Sequence, residues 1–269
     1  MLLVTKTVEK PWGRDKLPPP FVAPEGRRIG EIWFEPPRDL PQLLVKYIFT
    51  SEKLSVQVHP TDEQTEAKGL GRKGKSECWV VIDAEPGAAL GIGFNRPITR
   101  DAMRAAAQDG SIEGMLTWHK VTPGDFFYIP ANTVHAIGGG VSVIEVQQNS
   151  DITYRLYDYG RPRELHLDEA IAVSRGEPYD MALHAVLPEH EDARLVDGPH
   201  FRLDFVAGIP DETTALRYRG CLLVIPRRAK ATVEGEPVGP GQCALARSID
   251  EVVFDPRGSC LIAQPVTRP

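Results

Sequence analysis

Short apolar segments, each closed by a glycine or a proline, recur along this chain of 269 residues and limit the folds open to it. The 24 glycines and 24 prolines both exceed their average share in globular proteins. Short β-type segments separated by many turns are typical of an all-β sandwich or barrel. Helical signals are few: an alanine-rich segment at 99–109 ends at Gly110, and Thr61 with Gln64 forms a candidate capping box. The sequence therefore predicts a mainly β protein with a few short helices.

Charge and cysteine content narrow the class of protein. The chain has 31 basic and 37 acidic side chains, a net charge of −6, which argues against a nucleic-acid binder. An anionic small substrate would therefore need locally placed lysines or arginines. The four cysteines show no CxxC pairing and are expected to be free thiols in a reducing compartment. No apolar run suggests a signal peptide or a membrane span, so we expect a cytoplasmic protein.

The motifs that carry chemistry all lie in the first part of the chain. We expect a catalytic domain at 1–165, with a short helical insert near 99–109. A polar, proline-bearing stretch predicts a helix and connector at 166–198. Short strands return at 199–269 and predict a smaller C-terminal β domain that lacks the metal donors of the first.

The segment LSVQVHP at 54–60 combines an apolar row with a row of metal donors. Side chains alternate with period two in a strand, so Leu54, Val56 and Val58 share one face. The opposite face then carries Ser55, Gln57 and His59. Because Gln57 and His59 are two residues apart, both can reach one ion.

Two further segments complete a candidate metal site. In KSECW, Lys75, Glu77 and Trp79 share a face, whereas Cys78 points away. The segment PGDFFYIPANTVHAI at 123–137 delivers His135 after a turn. Two imidazoles, a carboxylate and an amide oxygen suit one Zn²⁺ or a similar divalent ion. A single anionic ligand leaves that ion with about one net positive charge, which favours a Lewis-acid role.

The order of these motifs resembles the type I phosphomannose isomerases, metal-dependent enzymes of the cupin superfamily. The resemblance covers most of residues 8–175 and is carried by seven segments: KPWG at 10–13, GEIW at 30–33, LSVQVHP at 54–60, GKSECWVVI at 74–82, PGDFFYIPANTVHAI at 123–137, IEVQQNSDITYRLYDYGR at 144–161 and RELHLDEA at 163–170. It implies a cupin jelly-roll barrel followed by a second, smaller jelly-roll-like β domain, as in the short bacterial form.

The resemblance also implies an activity and its residues. The reaction would interconvert mannose 6-phosphate and fructose 6-phosphate by proton transfer between C2 and C1 through an enediolate. The family's functional residues carry over as follows: Gln57, His59, Glu77 and His135 as metal ligands, Arg155 and Lys75 as catalytic residues, and Ser55, Trp12, Glu145 and Asp151 as substrate-binding residues. The expected partner is a small sugar phosphate, bound by a monomer or a small homo-oligomer, with no nucleic acid and no membrane.

The residue types constrain the roles within this mechanism. A guanidinium stays protonated, so Arg155 should stabilise the enediolate rather than act as a base. A neighbouring metal cation should lower the pKa of Lys75 and help it to exchange a proton during ring opening. The base stays open between a water at the metal, Glu145 and Asp151. Candidate phosphate ligands are Ser55, Arg161 and the basic loop at 69–75.

Two other functions fit the same donors. A cupin metal oxygenase would use a redox-active metal and require O₂. A non-catalytic sugar-binding cupin would show no turnover and would not depend on Arg155 or Lys75 for ligand binding.

Overall fold

The computed structural model describes residues 1–266. Its strands are β1 (Thr5–Arg14), β2 (Ile29–Phe34), β3 (Leu43–Phe49), β4 (Val56–Val58), β5 (Glu77–Ala84), β6 (Ala89–Phe94), β7 (Leu116–Lys120), β8 (Asp125–Ile129), β9 (His135–Ile137), β10 (Val141–Gln148), β11 (Tyr154–Tyr157), β12 (His184–Val186), β13 (Ala193–Asp197), β14 (Phe201–Ala207), β15 (Leu222–Arg228), β16 (Ala231–Val233), β17 (Glu236–Val238), β18 (Ala244–Ala246), β19 (Val252–Val253) and β20 (Ser259–Pro265). Its α-helices are α1 (Asp62–Ala67), α2 (Arg100–Asp109), α3 (Ile112–Met115), α4 (Leu167–Val173) and α5 (Glu212–Arg217), and short 3-10 helices lie at Met181–Leu183 and Ile249–Glu251.

Two antiparallel sheets face each other in the first part of the chain. One has seven strands in the order β1-β2-β3-β10-β5-β8-β12, and the other has five in the order β11-β4-β9-β6-β7. Trp79 and Phe127 from the first sheet share a buried apolar core with Leu90, Ile92 and Ile137 from the second. This confirms the predicted cupin-type β barrel, because alternating side chains from both sheets fill one interior.

A second pair of sheets forms the C-terminal part. Its larger sheet has the order β13-β14-β20-β15-β18, and its smaller sheet has the order β17-β16-β19. Leu222, Val224 and Ile262 of the larger sheet pack against Val233 and Val252 of the smaller one. The predicted second, smaller β domain is therefore present.

The two pairs of sheets are joined by a shared core rather than by a thin contact. The outer face of the seven-stranded sheet meets the larger C-terminal sheet through residues that include Tyr47, Cys78, Val80, Phe126, Leu203, Phe205, Ile225 and Leu261. Cys78 points into this interface and Trp79 into the barrel, as the period-two alternation predicts. Helices α2, α3 and α4 cover the outside of the five-stranded sheet.

The predicted connector contains two strands that belong to different sheets. Strand β12 pairs with β8 of the first barrel, whereas β13 pairs with β14 of the C-terminal sheet. The chain thus crosses between the two β units within residues 187–192. The boundaries 1–165, 166–198 and 199–269 remain a proposal.

Local signals in the sequence explain the helix ends. Thr61 and Gln64 form the predicted capping box at the start of α1. Thr99 caps α2, which ends at Gly110 in the left-handed conformation (φ 83°). The four cysteines are free. Among the helices of residues 1–266, none is both long and apolar enough to cross a membrane.

Candidate metal centre

Three buried side chains converge at one end of the barrel. His59, Glu77 and His135 each offer a ligand atom, and these atoms all lie within 4.8 Å of one another. His135 Nε2 is 3.2 Å from Glu77 Oε1, and His59 Nε2 is 3.6 Å from Glu77 Oε2. Each side chain is at most 2% exposed. Such a cluster of two imidazoles and one carboxylate has the donors that a divalent metal ion requires.

Strand pairing brings these residues together from distant parts of the chain. Gln57 on β4 lies opposite His135 on β9 in the five-stranded sheet. Glu77 begins β5 in the facing seven-stranded sheet. His59 follows β4 directly, and its carbonyl accepts a hydrogen bond from the backbone N–H of Asn132 (2.7 Å) in the turn before His135. The site therefore lies where the two sheets open at the barrel end.

A close backbone approach places the next predicted site residue, Lys75. A Cβ on Gly74 would lie 2.3 Å from the backbone nitrogen of Asp62, so only glycine fits against the start of α1. The Lys75 N–H donates to the carbonyl of Pro60 (3.0 Å). These contacts hold the segment before β5 against the turn that follows His59.

Backbone carbonyls orient both imidazole rings. His59 Nδ1 donates to the carbonyl of Ile152, and His135 Nδ1 donates to that of Thr133, each at 2.9 Å. Because a carbonyl only accepts, these contacts leave the Nε2 lone pairs directed toward Glu77. Burial lowers the pKa of His59 to about 4, and burial also lowers the pKa of His135. Both rings are therefore neutral near pH 7, the form that binds a metal.

Glu77 and Lys75 form a buried ion pair. Lys75 Nζ lies 2.6 Å from Glu77 Oε2 and 3.3 Å from His59 Nε2. Burial by itself would raise the pKa of Glu77, but Lys75 and His59 hold it well below its usual range. The contact at Oε2 is an ion pair without the angles of a hydrogen bond, so this oxygen has no directed donor. A carboxylate oxygen in that state fits the ligand of a cation.

The carboxylates around Lys75 raise its pKa. Burial would lower it, but Glu145 and Glu77 outweigh burial and raise it. The expected lowering depends on a metal cation beside Lys75, so it remains a prediction for the metal-loaded protein.

Gln57 is next to the cluster but presents its nitrogen to it. Its Nε2 lies 3.2 Å from His135 Nε2, and its Oε1 accepts a hydrogen bond from Ser55 Oγ at 3.2 Å. Binding of a metal through Oε1 requires the amide to turn over. The role of Gln57 as a ligand therefore remains a prediction.

A cavity of about 490 Å³ opens beside the cluster. The predicted site residues that line it are Trp12, Ser55, Gln57, Lys75, Glu145, Asp151 and Arg155. Glu145 is buried beneath it, with Oε1 3.3 Å from Lys46 Nζ and 3.7 Å from Lys75 Nζ. Trp79 Nε1 donates to Glu145 Oε2 at 3.0 Å. Asp151 is exposed at the rim of the cavity. The two acidic candidates for proton transfer, Glu145 and Asp151, therefore differ in their burial.

Arg155 and Arg161 have different surroundings. Arg155 lies opposite Gln57 in the pairing of β11 with β4 and lines the cavity, and burial followed by Arg163 lowers its pKa. Arg161 instead binds Asp158 (3.2 Å) and the carbonyl of Lys53 (2.6 Å), and it does not line the cavity. Arg163 also lines the cavity, although the sequence analysis did not single it out.

The structure adds further cavity residues to those that the sequence singled out. They are Lys10, Glu31, Trp33, Lys46, Lys73 and Arg163. Lys46 had a local signal: it is the one charged residue in β3, whose other members are buried and apolar. Of the basic loop at 69–75, Lys73 and Lys75 reach the cavity, whereas Arg72 pairs with Glu63 and Glu66 on the surface.

Sequence relatives of this chain are named mannose-6-phosphate isomerases. No protein-family model matches the chain. It is 46% identical over 137 residues to a mannose-6-phosphate isomerase of Bacillus subtilis (strain 168), covering 49% of this chain and 43% of that protein. It is 42% identical over 137 residues to a mannose-6-phosphate isomerase of Streptococcus mutans, with the same coverage. The alignments thus span about half the length of the curated relatives.

Solved structures match over nearly the whole chain. The mannose 6-phosphate isomerase from Bacillus subtilis has a TM-score of 0.77 at 23% identity and covers 98% of both chains. A putative mannosephosphate isomerase from Archaeoglobus fulgidus has a TM-score of 0.74 at 18% identity, covering 99% of this chain and 98% of the other. At these identities the structural match shows the fold. Together with the sequence relatives, it confirms the resemblance to the phosphomannose isomerases.

Proposed function

We propose that this chain is a metal-dependent aldose–ketose isomerase that interconverts mannose 6-phosphate and fructose 6-phosphate. The observation that carries the proposal is the buried His59–Glu77–His135 cluster beside a cavity lined by Lys75 and Arg155. The named relatives support the same activity.

We assign one Zn²⁺ per chain to His59, Glu77, His135 and Gln57. Neutral, backbone-oriented imidazoles and a carboxylate without a directed donor support this assignment. When bound, the ion would supply a Lewis acid that polarises sugar oxygens.

The cations of the cavity support a sugar phosphate as substrate. Six basic side chains line it, against three acidic ones: Lys10, Lys46, Lys73, Lys75, Arg155 and Arg163 against Glu31, Glu145 and Asp151. The whole chain carries a net charge of −6, so this excess of positive charge is local. We propose that Arg163 and Lys73, both near the rim, hold the phosphate with Ser55.

The other side chains have roles that follow from their surroundings. Arg155 stabilises the negative charge that develops on the sugar oxygens, because its guanidinium stays charged. Lys75, paired with Glu77 and Glu145 at the cavity, donates a hydrogen bond to a sugar hydroxyl and assists ring opening. Glu145 is the stronger candidate to carry the proton between C2 and C1, because its buried Oε1 lies at the cavity and accepts no hydrogen bond. Asp151 is the second candidate.

A coupled isomerase assay on mannose 6-phosphate tests the proposal. We expect turnover that is lost on treatment with a chelator and restored by added Zn²⁺. His135→Ala should lose bound metal, measured by elemental analysis, and activity together. Absence of turnover in the metal-loaded protein would favour a sugar-binding cupin, and turnover that consumes O₂ would favour the oxygenase alternative.

We further propose a cytoplasmic enzyme that acts as a monomer or a small homo-oligomer. The four free thiols support a reducing compartment.

A further inference from the structure

A second cavity, of about 280 Å³, lies where the catalytic barrel meets the C-terminal sheet. Its walls come from the turn before β8, the segment after β12 and strands β14, β15 and β20. Strand β8 begins beside this cavity and ends at Ile129, which pairs with the metal-site residue Glu77. The two cavities therefore lie at opposite ends of β8, and they share no lining residue within 1–266.

Two adjacent arginines line this cavity because the strand that carries them is irregular. Neighbouring residues of a regular strand point to opposite faces. The pairing of β15 with β20 shifts register between Pro226 and Arg228, which leaves Arg227 outside the ladder. Such a bulge redirects side chains, and here Arg227 and Arg228 both line the cavity.

One nitrogen of the Arg227 guanidinium has no hydrogen-bond partner. Its Nη1 is buried without a hydrogen-bond acceptor, and burial lowers the pKa of the group. Neither Arg227 nor Arg228 forms an ion pair with any residue in the described part of the chain. Arg227 is half-buried, and a partly buried cation without a counter-charge is unfavourable, so an anion would relieve that cost.

The remaining walls indicate the chemistry of a suitable ligand. Phe205 and Leu187 supply an apolar surface, and Ser259 supplies a polar one. Glu189 is the one acidic side chain on the wall; it is exposed, and its ion pair is with His190 at 3.9 Å. Glu189 forms no ion pair with either arginine in the described part of the chain.

We propose that this cavity binds a small oxyanion, a phosphate or carboxylate group, through Arg227 and Arg228. The apolar wall at Phe205 and Leu187 accommodates the rest of the ligand. Because both β units contribute to the walls, occupancy stabilises their junction. This inference is independent of the isomerase activity.

Inorganic phosphate and benzoate are the probes that test it, at constant ionic strength and on the metal-loaded protein. Calorimetric titration and the melting temperature are measured for the wild type, Arg227→Gln and the control Arg247→Gln, which removes an exposed arginine outside the cavity. Phosphate is also expected to bind in the proposed substrate cavity. An Arg155→Ala protein is therefore titrated in parallel, to identify the phosphate binding that belongs to that cavity.

We expect Arg227→Gln to weaken binding of at least one probe about tenfold or more, because charge-assisted contacts to the oxyanion are lost. The ligand-induced rise in melting temperature should shrink with it. Isomerase activity should stay unchanged in this variant. The probe that binds identifies the group as phosphoryl or carboxylate.

Two further variants keep the test decisive if Arg227→Gln folds poorly. Arg228→Gln, at an exposed position, should weaken binding, and Glu189→Gln should tighten it by removing the one negative charge on the wall. Equal affinities in the wild type and the arginine variants, or no binding of either probe to the wild type, would overturn the proposal.

Discussion

Charged groups beside the His59–Glu77–His135 cluster alternate in sign. Glu77 contacts Lys75 (2.6 Å), Lys75 faces Glu145 (3.7 Å), and Glu145 contacts Lys46 (3.3 Å). All four side chains are at most 10% exposed. Buried charges persist only when each has a partner, so loss of one member leaves another uncompensated.

Arg155→Ala should separate catalysis from structure. The guanidinium is half-buried at the cavity and forms one weak hydrogen bond to the carbonyl of Glu164 (3.4 Å), so its loss should leave the fold and the bound metal intact. Turnover should fall by roughly two orders of magnitude or more, as expected when charge stabilisation of a transition state is removed. The measurements are kcat and metal content, with the exposed Arg100→Ala as the matched control. Near-normal activity would show that Arg155 does not have this role.

Trp79→Phe should test the orientation of Glu145. Phenylalanine keeps an aromatic ring in the core but cannot donate to Glu145 Oε2, which accepts from the indole at 3.0 Å. We expect kcat to fall about tenfold with little change in KM, since a lost hydrogen bond to a charged group is worth roughly 1.5–3 kcal/mol. Steady-state kinetics on the metal-loaded protein give the answer. An equal rise in KM would instead indicate a defect in substrate binding.

The two metal-site histidines should make the stability of the metal-free protein depend on pH. In the folded state the pKa of His59 is about 4, below its ordinary value of 6.5, and that of His135 is also lowered. The unfolded chain therefore binds more protons between about pH 6.5 and 4. Their contribution is present above pH 6.5 and is lost as the pH falls through this window. For His59 it amounts to about 3 kcal/mol at most.

Urea unfolding of chelator-treated protein between pH 7.5 and 4.5 measures this dependence. The exposed His190→Gln should leave the slope unchanged, because its side chain is 83% exposed. A free energy of unfolding that does not fall across the window would contradict neutral, buried imidazoles.

At the scale of elements, helix α1 supports both sides of the site. Asp62 Oδ1 accepts from the backbone N–H of Gly74 (2.8 Å), next to Lys75. Gln64 Oε1 accepts from Asn132 Nδ2 (2.8 Å), in the turn that leads to His135. A helix of six residues cannot stand alone in water, so its capping box and these contacts determine whether it forms.

Thr61→Ala should therefore affect stability and the site together. Loss of the N-cap oxygen should lower the free energy of unfolding by about 1 kcal/mol. Because α1 anchors the turns before Lys75 and His135, we also expect weaker metal binding. Urea unfolding and metal titration measure the two effects. The control is Glu66→Ala on the same helix, which removes a surface ion pair with Arg72 and should change stability by less than about 1 kcal/mol.

At the scale of the whole molecule, the two β units share one core. Tyr47 and Phe126 of the barrel pack with Leu203, Ile225 and Leu261 of the C-terminal sheet. If the two units separated, each would expose this apolar surface to water. Such exposure costs a free energy of about 25 cal/mol per Å² of apolar area. The interface therefore ties their unfolding together.

We expect one cooperative thermal transition for the metal-loaded chain. Scanning calorimetry should give a calorimetric enthalpy close to the van't Hoff enthalpy. Deletion of residues 199–269 should yield an aggregating protein, because it uncovers the apolar face of the seven-stranded sheet. Two resolved transitions, or a stable isolated barrel, would refute the shared core as the source of cooperativity.

Patterns of short range explain what could be predicted from the sequence. Period-two alternation placed Gln57 and His59 on one face and turned Cys78 away from Trp79. The residues at the ends of α1 and α2 defined those helices, and turn residues indicated a mainly β fold. These features depend on neighbours within a few positions, where covalent geometry and local hydrogen bonds decide the outcome.

The tertiary structure alone decided which distant groups meet. The pairing of β3 with β10 brings Lys46 opposite Glu145, 99 positions later in the chain, and Glu145 together with Glu77 raises the pKa of Lys75. Asp158 binds both Arg161 (3.2 Å) and Arg163 (2.6 Å), and of these two arginines Arg163 lines the cavity. A bulge in β15 directs two arginines into the second cavity. Electrostatic energies depend on distance in space rather than along the chain, so no local pattern could reveal them.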